Sequence, residues 1–164
     1  MKLGLVLGVL VVILLILFAV SQERNALSAL PVPIMCSSQL DAMLRAQADG
    51  DYFTAVLGTG SMAPVIPPAP EGLNPNATIV AYVSMDTRDY DDIKQGDLVS
   101  YKPQWTLPKG LGRVKVLHQA AQKDSGGWIM SGLNNKHFEN RHRVTESEYY
   151  GVAKNIYLWP LSEK

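Results

Sequence analysis

The stretch "YFTAVLGTGSMAP", Tyr52 to Pro64, runs an aromatic and β-branched segment into a tight turn, and its reading decides the rest. Tyr52 to Leu57 carries residue types that suit a pleated, half-buried surface, so it reads as a strand. Gly58, Gly60 and Pro64 then frame one small hydroxyl, Ser61. Glycine reaches backbone angles closed to other residues and admits a second backbone at close range. Proline stiffens the exit. Two readings follow: an ordinary glycine-rich passage from strand to loop, or a serine held in place to attack a carbonyl.

Further strands are expected at "TIVAYVSM" (Thr78 to Met85), "DLVSYKP", "GRVKVLHQAA", "GWIMSG" and "YYGVAKNIYLWP", separated by turn-forming residues. Four of the ten prolines fall between Val65 and Ala77, which must be loop. The polar run "DTRDYDDIKQG" reads as turns. "SQLDAMLRAQA" reads as a short helix capped by Ser37 or Ser38, with Leu40, Met43 and Leu44 on one face. Short strands at this spacing, with little helix, indicate a mainly β domain.

The 164 residues balance 15 basic against 15 acidic side chains, so no basic face for nucleic acid is expected. The 47% of apolar residues is unevenly spread. Leu3 to Val20 holds no charged side chain, and at about 1.5 Å per residue it would form roughly 27 Å of helix, close to the thickness of a bilayer's hydrocarbon core. Its length favours a retained anchor over a cleaved leader, whose apolar core is usually shorter. Lys2 precedes it, while Glu23 and Arg24 cancel after it, which favours a cytoplasmic N-terminus with the remainder on the exported side. The expected organisation is a transmembrane signal-anchor over 1–21, a linker and short helix over 22–50, and a β domain over 51–164. Cys36 is the single cysteine, so no intrachain disulfide is possible. It lacks the small preceding residues of a lipidation site. No Cys, His and carboxylate spacing suggests a metal centre, and no cofactor is implied.

A serine hydroxyl is a poor nucleophile until a neighbouring base takes its proton. His118 and Lys115 share one expected strand, three residues apart. Side chains alternate along a strand, so these two point to opposite faces and one of them meets Ser61. Val116, Leu117, Ala120 and Ala121 surround His118 with apolar neighbours, which suits a partly buried neutral imidazole. A hydrogen-bonded core histidine satisfies the same pattern.

The segments "GTGSMAP", "QGDLVSYKP", "VKVLHQAA", "SGLNNKHFEN" and "YYGVA" follow one another as do the sequence boxes of type I signal peptidases, which the chain resembles. Those boxes are shared with the self-cleaving domains of SOS repressors. They span about Leu57 to Val152, behind an N-terminal anchor that fits the same family. The anchor stands where a repressor would carry a DNA-binding domain, which disfavours that branch. The resemblance implies a signal-peptidase-like β fold and a membrane-anchored serine endopeptidase with Ser61 as nucleophile.

The base implied depends on the branch. Bacterial members use a lysine followed by arginine, whereas the endoplasmic-reticulum and archaeal type uses histidine in His-Arg-Val. Here His118 precedes Gln119, and Lys115 precedes Val116, so neither pattern is complete. Gly132-Leu133-Asn134-Asn135 stands where the histidine type carries Gly-Asp-Asn-Asn, and the orienting acid then falls on Glu139. Resemblance therefore implies Ser61, His118 and Glu139 as the catalytic set, with Asp124 as the fallback acid. Thr59, two before the nucleophile, would lend its hydroxyl to the oxyanion; an ordinary β-branched strand residue is the alternative. His137 and His142 read as solvated loop residues.

The implied substrate is an extended peptide, the signal-peptide region of a pre-protein, cleaved after small residues such as Ala-x-Ala at the membrane. Met62, Val65 and Ile66 are candidates to dip into the interface. Two other functions stand beside this one: a non-catalytic membrane-tethered β module that binds peptides or partners, which the departures from the family pattern keep open, and a maturation peptidase dedicated to one secretion or conjugation system.

Overall fold

A computed structural model describes residues 30–103, 115–135 and 143–161. Seven strands and one helix make up the chain there: β1 (Pro33–Met35), α1 (Gln39–Asp49), β2 (Tyr52–Leu57), β3 (Ile79–Asp86), β4 (Leu98–Tyr101), β5 (Val116–Asp124), β6 (Gly127–Ser131) and β7 (Tyr149–Leu158). The domain is mainly β. The strands form one sheet in the order β2-β3-β7-β4-β5-β6, each neighbouring pair antiparallel. β1 joins the end of β7 in parallel, with Pro33 beside Ile156 and Met35 beside Leu158. Among the described residues no helix is long and apolar enough to cross a membrane. The expected anchor, 1–21, lies outside the described residues.

Alternation along β4 and β5 builds two cores on the two faces of the sheet. Leu98 and Leu117 face a cluster with Val83, Met85 and Ile156. Val99, Tyr101 and Ala120 face a second cluster with Trp128, Met130 and Val152. Burying each such aliphatic side chain contributes roughly 1.5–3 kcal/mol, so both faces stabilise the sheet.

The helix starts where expected, with Ser38 Oγ accepting from the Asp41 backbone N–H at 3.2 Å. Its buried face is not the one that Leu40, Met43 and Leu44 define. Ala42 and Ala46 are fully buried, Leu40 and Leu44 are 61% and 54% exposed, and Met43 is only partly buried. The reason is what lies beneath: Tyr82, Tyr157 and Trp159 from the sheet side cluster with Ala42 and Ala46, and Met43 packs at the margin. Cys36 belongs to this third cluster, and burial pushes its thiol up from its ordinary range.

Met62 and Ile66 are 3% and 2% exposed and lie in the first core, with Val65 packed against them. They do not reach outward as membrane-dipping residues. Their burial anchors the turn that carries Ser61.

Candidate active site

The sheet curls so that the turn after its edge strand, β2, meets the start of β5. Ser61 leaves β2 by a turn in which Gly60 has φ +81°, a left-handed conformation that favours glycine. Gly58 has a different reason. A Cβ there would stand 2.4 Å from the backbone nitrogen of Ala69, because the proline-rich loop folds back and donates the Ala69 N–H to the Gly58 carbonyl. The turn therefore carries its hydroxyl on a backbone pinned from two directions.

A second clamp comes from the segment after β6. The Asn134 backbone N–H donates to the Ser61 carbonyl at 3.0 Å, and its side-chain amide to the Gly60 carbonyl at 3.3 Å. Gly132 must be glycine, since a Cβ would lie 2.7 Å from the Ser61 carbonyl oxygen. Leu133, where the resembled family carries an aspartate, packs against the first core. This segment thus holds the serine turn by its backbone carbonyls.

On the other side, Ser61 Oγ lies 3.2 Å from His118 Nε2. His118 is 6% exposed, and its Nδ1 lies 3.1 Å from the Tyr101 hydroxyl. Tyr101 itself is fully buried. The β4–β5 register explains the contact: Tyr101 pairs with Val116, two residues before His118 on the same face. In the tautomer that carries its proton on Nδ1 and donates it to the Tyr101 oxygen, the imidazole accepts from Ser61 through Nε2. Tyr101 was missed at the sequence level, where a strand tyrosine reads as core. Thr59 Oγ1 stands 3.5 Å from Ser61 Oγ, exposed at the mouth of the site.

Lys115 does not approach Ser61. Its Nζ is held 4.5 Å from the centroids of both the Tyr52 and Tyr150 rings, an attraction between cation and ring face. Asp124, the fallback acid, is also elsewhere. It sits at the far end of β5, six residues from His118 and so about 20 Å along the strand. There it accepts from the Gly126 N–H and pairs with Arg143 at 2.6 Å, which holds its carboxyl below the usual range. Its role is to close the β5–β6 turn. Glu139, His137 and His142 lie outside the described residues. Among the described residues no three His, Cys, Asp or Glu side chains gather as metal ligands.

A cavity of about 860 Å³ opens beside the serine, lined by Phe53 to Leu57 along β2 and by Lys115 to His118 along β5. β2 is an edge strand. Among the described residues, β5 pairs with β6 only from Gln119 onward, so Val116 and Leu117 have no strand partner on the side away from β4. Two strand edges without a partner strand among the described residues thus border one groove that ends at Ser61 and His118. The chain matches no family model, no curated protein and no solved structure.

Proposed function

We propose that this protein is a membrane-anchored serine endopeptidase of the signal-peptidase kind, with Ser61 as nucleophile and His118 as general base. The observation that carries the reading is the 3.2 Å approach of Ser61 Oγ to a buried imidazole at the end of a groove lined by β2 and β5. A hydroxyl within hydrogen-bond reach of a base oriented by a third group is the arrangement that nucleophilic catalysis needs. The anchor and the order of the sequence boxes support the same reading, with the catalytic domain on the exported side.

The substrate enters as an added strand in the groove, where open backbone groups of β2 and β5 supply main-chain hydrogen bonds. Ser61 Oγ attacks the scissile carbonyl as His118 Nε2 takes its proton. The developing oxyanion is met by the Ser61 backbone N–H and the Thr59 hydroxyl. His118 returns the proton to the leaving amine, then draws one from the water that hydrolyses the acyl-enzyme. Tyr101 holds the imidazole by Nδ1, and Glu139 remains the carboxylate proposed to complete the set. Small residues before the bond suit a groove walled by Ala55, Val56, Leu57 and Ile66.

The test is cleavage of a pre-protein with an Ala-x-Ala site by the full chain in detergent. Wild type is expected to cleave, Ser61→Ala and His118→Ala to lose turnover, and Lys115→Ala to retain it. Loss in Lys115→Ala instead would move the base to the lysine. No cleavage by wild type across several pre-proteins would favour a peptide-binding module on the same scaffold.

A further inference from the structure

The groove carries one formal charge among the described residues that line it, and it sits away from the serine. The lining is otherwise apolar or neutral: aliphatic side chains, hydroxyls, one asparagine and His118. That charge is Lys115. Its ammonium is fixed between the Tyr52 and Tyr150 rings. No carboxylate of the described residues pairs with it. Tyrosine faces attract a cation but leave its three N–H donors unused. An exposed ammonium held in place without an anion has a position ready for one.

The surroundings add a second polar feature. Lys115, Leu117 and Ser100 share one face of the β4–β5 pair, opposite to His118 and Tyr101. Ser100 is fully buried and lines the same cavity. Its Oγ and the Tyr52 hydroxyl are buried within reach of each other. Tyr52 reaches that place because Gly151 makes room, a Cβ there standing 2.8 Å from the Tyr52 oxygen. The end of the groove thus presents one positioned cation on an otherwise uncharged wall that includes Ser100. Such a cation complements a carboxylate.

We infer that Lys115 forms an anion subsite of the groove and selects extended peptides carrying an acidic side chain about three residues from the scissile bond. The spacing follows from the strand: Lys115 precedes His118 by three residues, roughly 10 Å of extended chain. The inference rests on the peptidase reading for its scissile bond, but the subsite itself is a property of the groove. Whether the acidic residue lies before or after the bond is set by the direction in which the substrate strand runs.

The test uses peptides of about ten residues with alanines around the expected bond, each carrying Glu, Gln or Lys at one of the positions on either side. Cleavage is measured with the full wild-type chain, and binding is measured by fluorescence anisotropy with Ser61→Ala. Both are repeated in the Lys115→Glu and Lys115→Met backgrounds. Wild type is expected to favour Glu over Lys at one position by about fivefold, the scale of a partly screened charge pair. Lys115→Glu reverses that ratio and Lys115→Met levels it. Cleavage or binding without a charge preference, or with one that survives Lys115→Glu, overturns the subsite and leaves the peptidase intact. A Glu preference in binding that Lys115→Glu reverses, with no cleavage by wild type, upholds the subsite and removes the peptidase. Neither binding nor cleavage of any peptide overturns both.

Discussion

The Tyr101 hydroxyl lies 3.1 Å from His118 Nδ1, on the side of the ring opposite Ser61. Both residues are buried, so the contact is made in a low dielectric where a hydrogen bond orients strongly. Tyr101→Phe keeps the ring and removes only the oxygen. The expected result is a fall in kcat of about tenfold, the worth of one hydrogen bond of about 1.4 kcal/mol, with KM within about twofold of wild type. Equal damage to KM and to thermal stability, with kcat intact, would give Tyr101 a packing role alone.

Thr59 stands at the mouth of the site with Oγ1 3.5 Å from Ser61 Oγ. If it donates to the oxyanion, its hydroxyl matters more in the transition state than in the ground state. Thr59→Val is expected to lower kcat by about a hundredfold, and Thr59→Ser to restore most of it. Steady-state kinetics decide, and an unchanged kcat in Thr59→Val would make it an ordinary turn residue.

The helix inverts the usual expectation for large and small residues. Ala46 is fully buried against an aromatic layer that includes Tyr82 and Trp159, while Leu44 is 54% exposed. Ala46→Leu forces extra methylenes into a filled space and is expected to cost about 1–3 kcal/mol. Leu44→Ala removes mostly solvated surface and is expected to change stability by less than about 1 kcal/mol. Urea unfolding of the two variants checks the order, and the reverse order would mean that the helix packs by its leucine face.

Much of this arrangement was legible in the sequence, and what was not has physical reasons. Strands β2 to β7 announce themselves by β-branched and aromatic runs between turn residues. β1 does not, because three residues beginning with proline carry no periodicity and pair in parallel with a strand more than a hundred positions away. The helix face misled because alanine reads as filler until the aromatic layer beneath it is known. Strand alternation brought one of His118 and Lys115 to Ser61 and the family resemblance chose His118, whereas Tyr101 required the β4–β5 register, which no local pattern supplies. Gly132 to Asn135 was legible as a motif, but its hold on the Ser61 carbonyl is a backbone contact that side-chain chemistry does not foretell.

Asp49 at the end of the helix ties it to the sheet. Hydrogen bonds from the Asn155 amide and the Ser84 hydroxyl, with Lys154 nearby, hold its carboxyl down to about 2. Unfolded, it titrates at an ordinary value of about 3.9. A carboxylate whose folded value is depressed binds protons less readily than in the unfolded chain. Its contribution to stability is therefore complete above about pH 4 and is lost as pH falls towards about 2. Asp49→Asn is expected to flatten that part of the pH dependence, read from urea midpoints between about pH 6 and pH 2. The same slope in both proteins would show that the three partners do not favour the ionised form.

The most direct test of the Ser61–His118 pair needs no natural substrate. The full chain is treated with a serine-directed fluorophosphonate, and the rate of adduct formation is followed by mass spectrometry. The expected result is one adduct located on Ser61, formed at least about a hundredfold more slowly in His118→Ala, the loss typical of a missing general base. An adduct rate unchanged in His118→Ala, or no adduct on Ser61 in a folded wild-type chain, would contradict the pair.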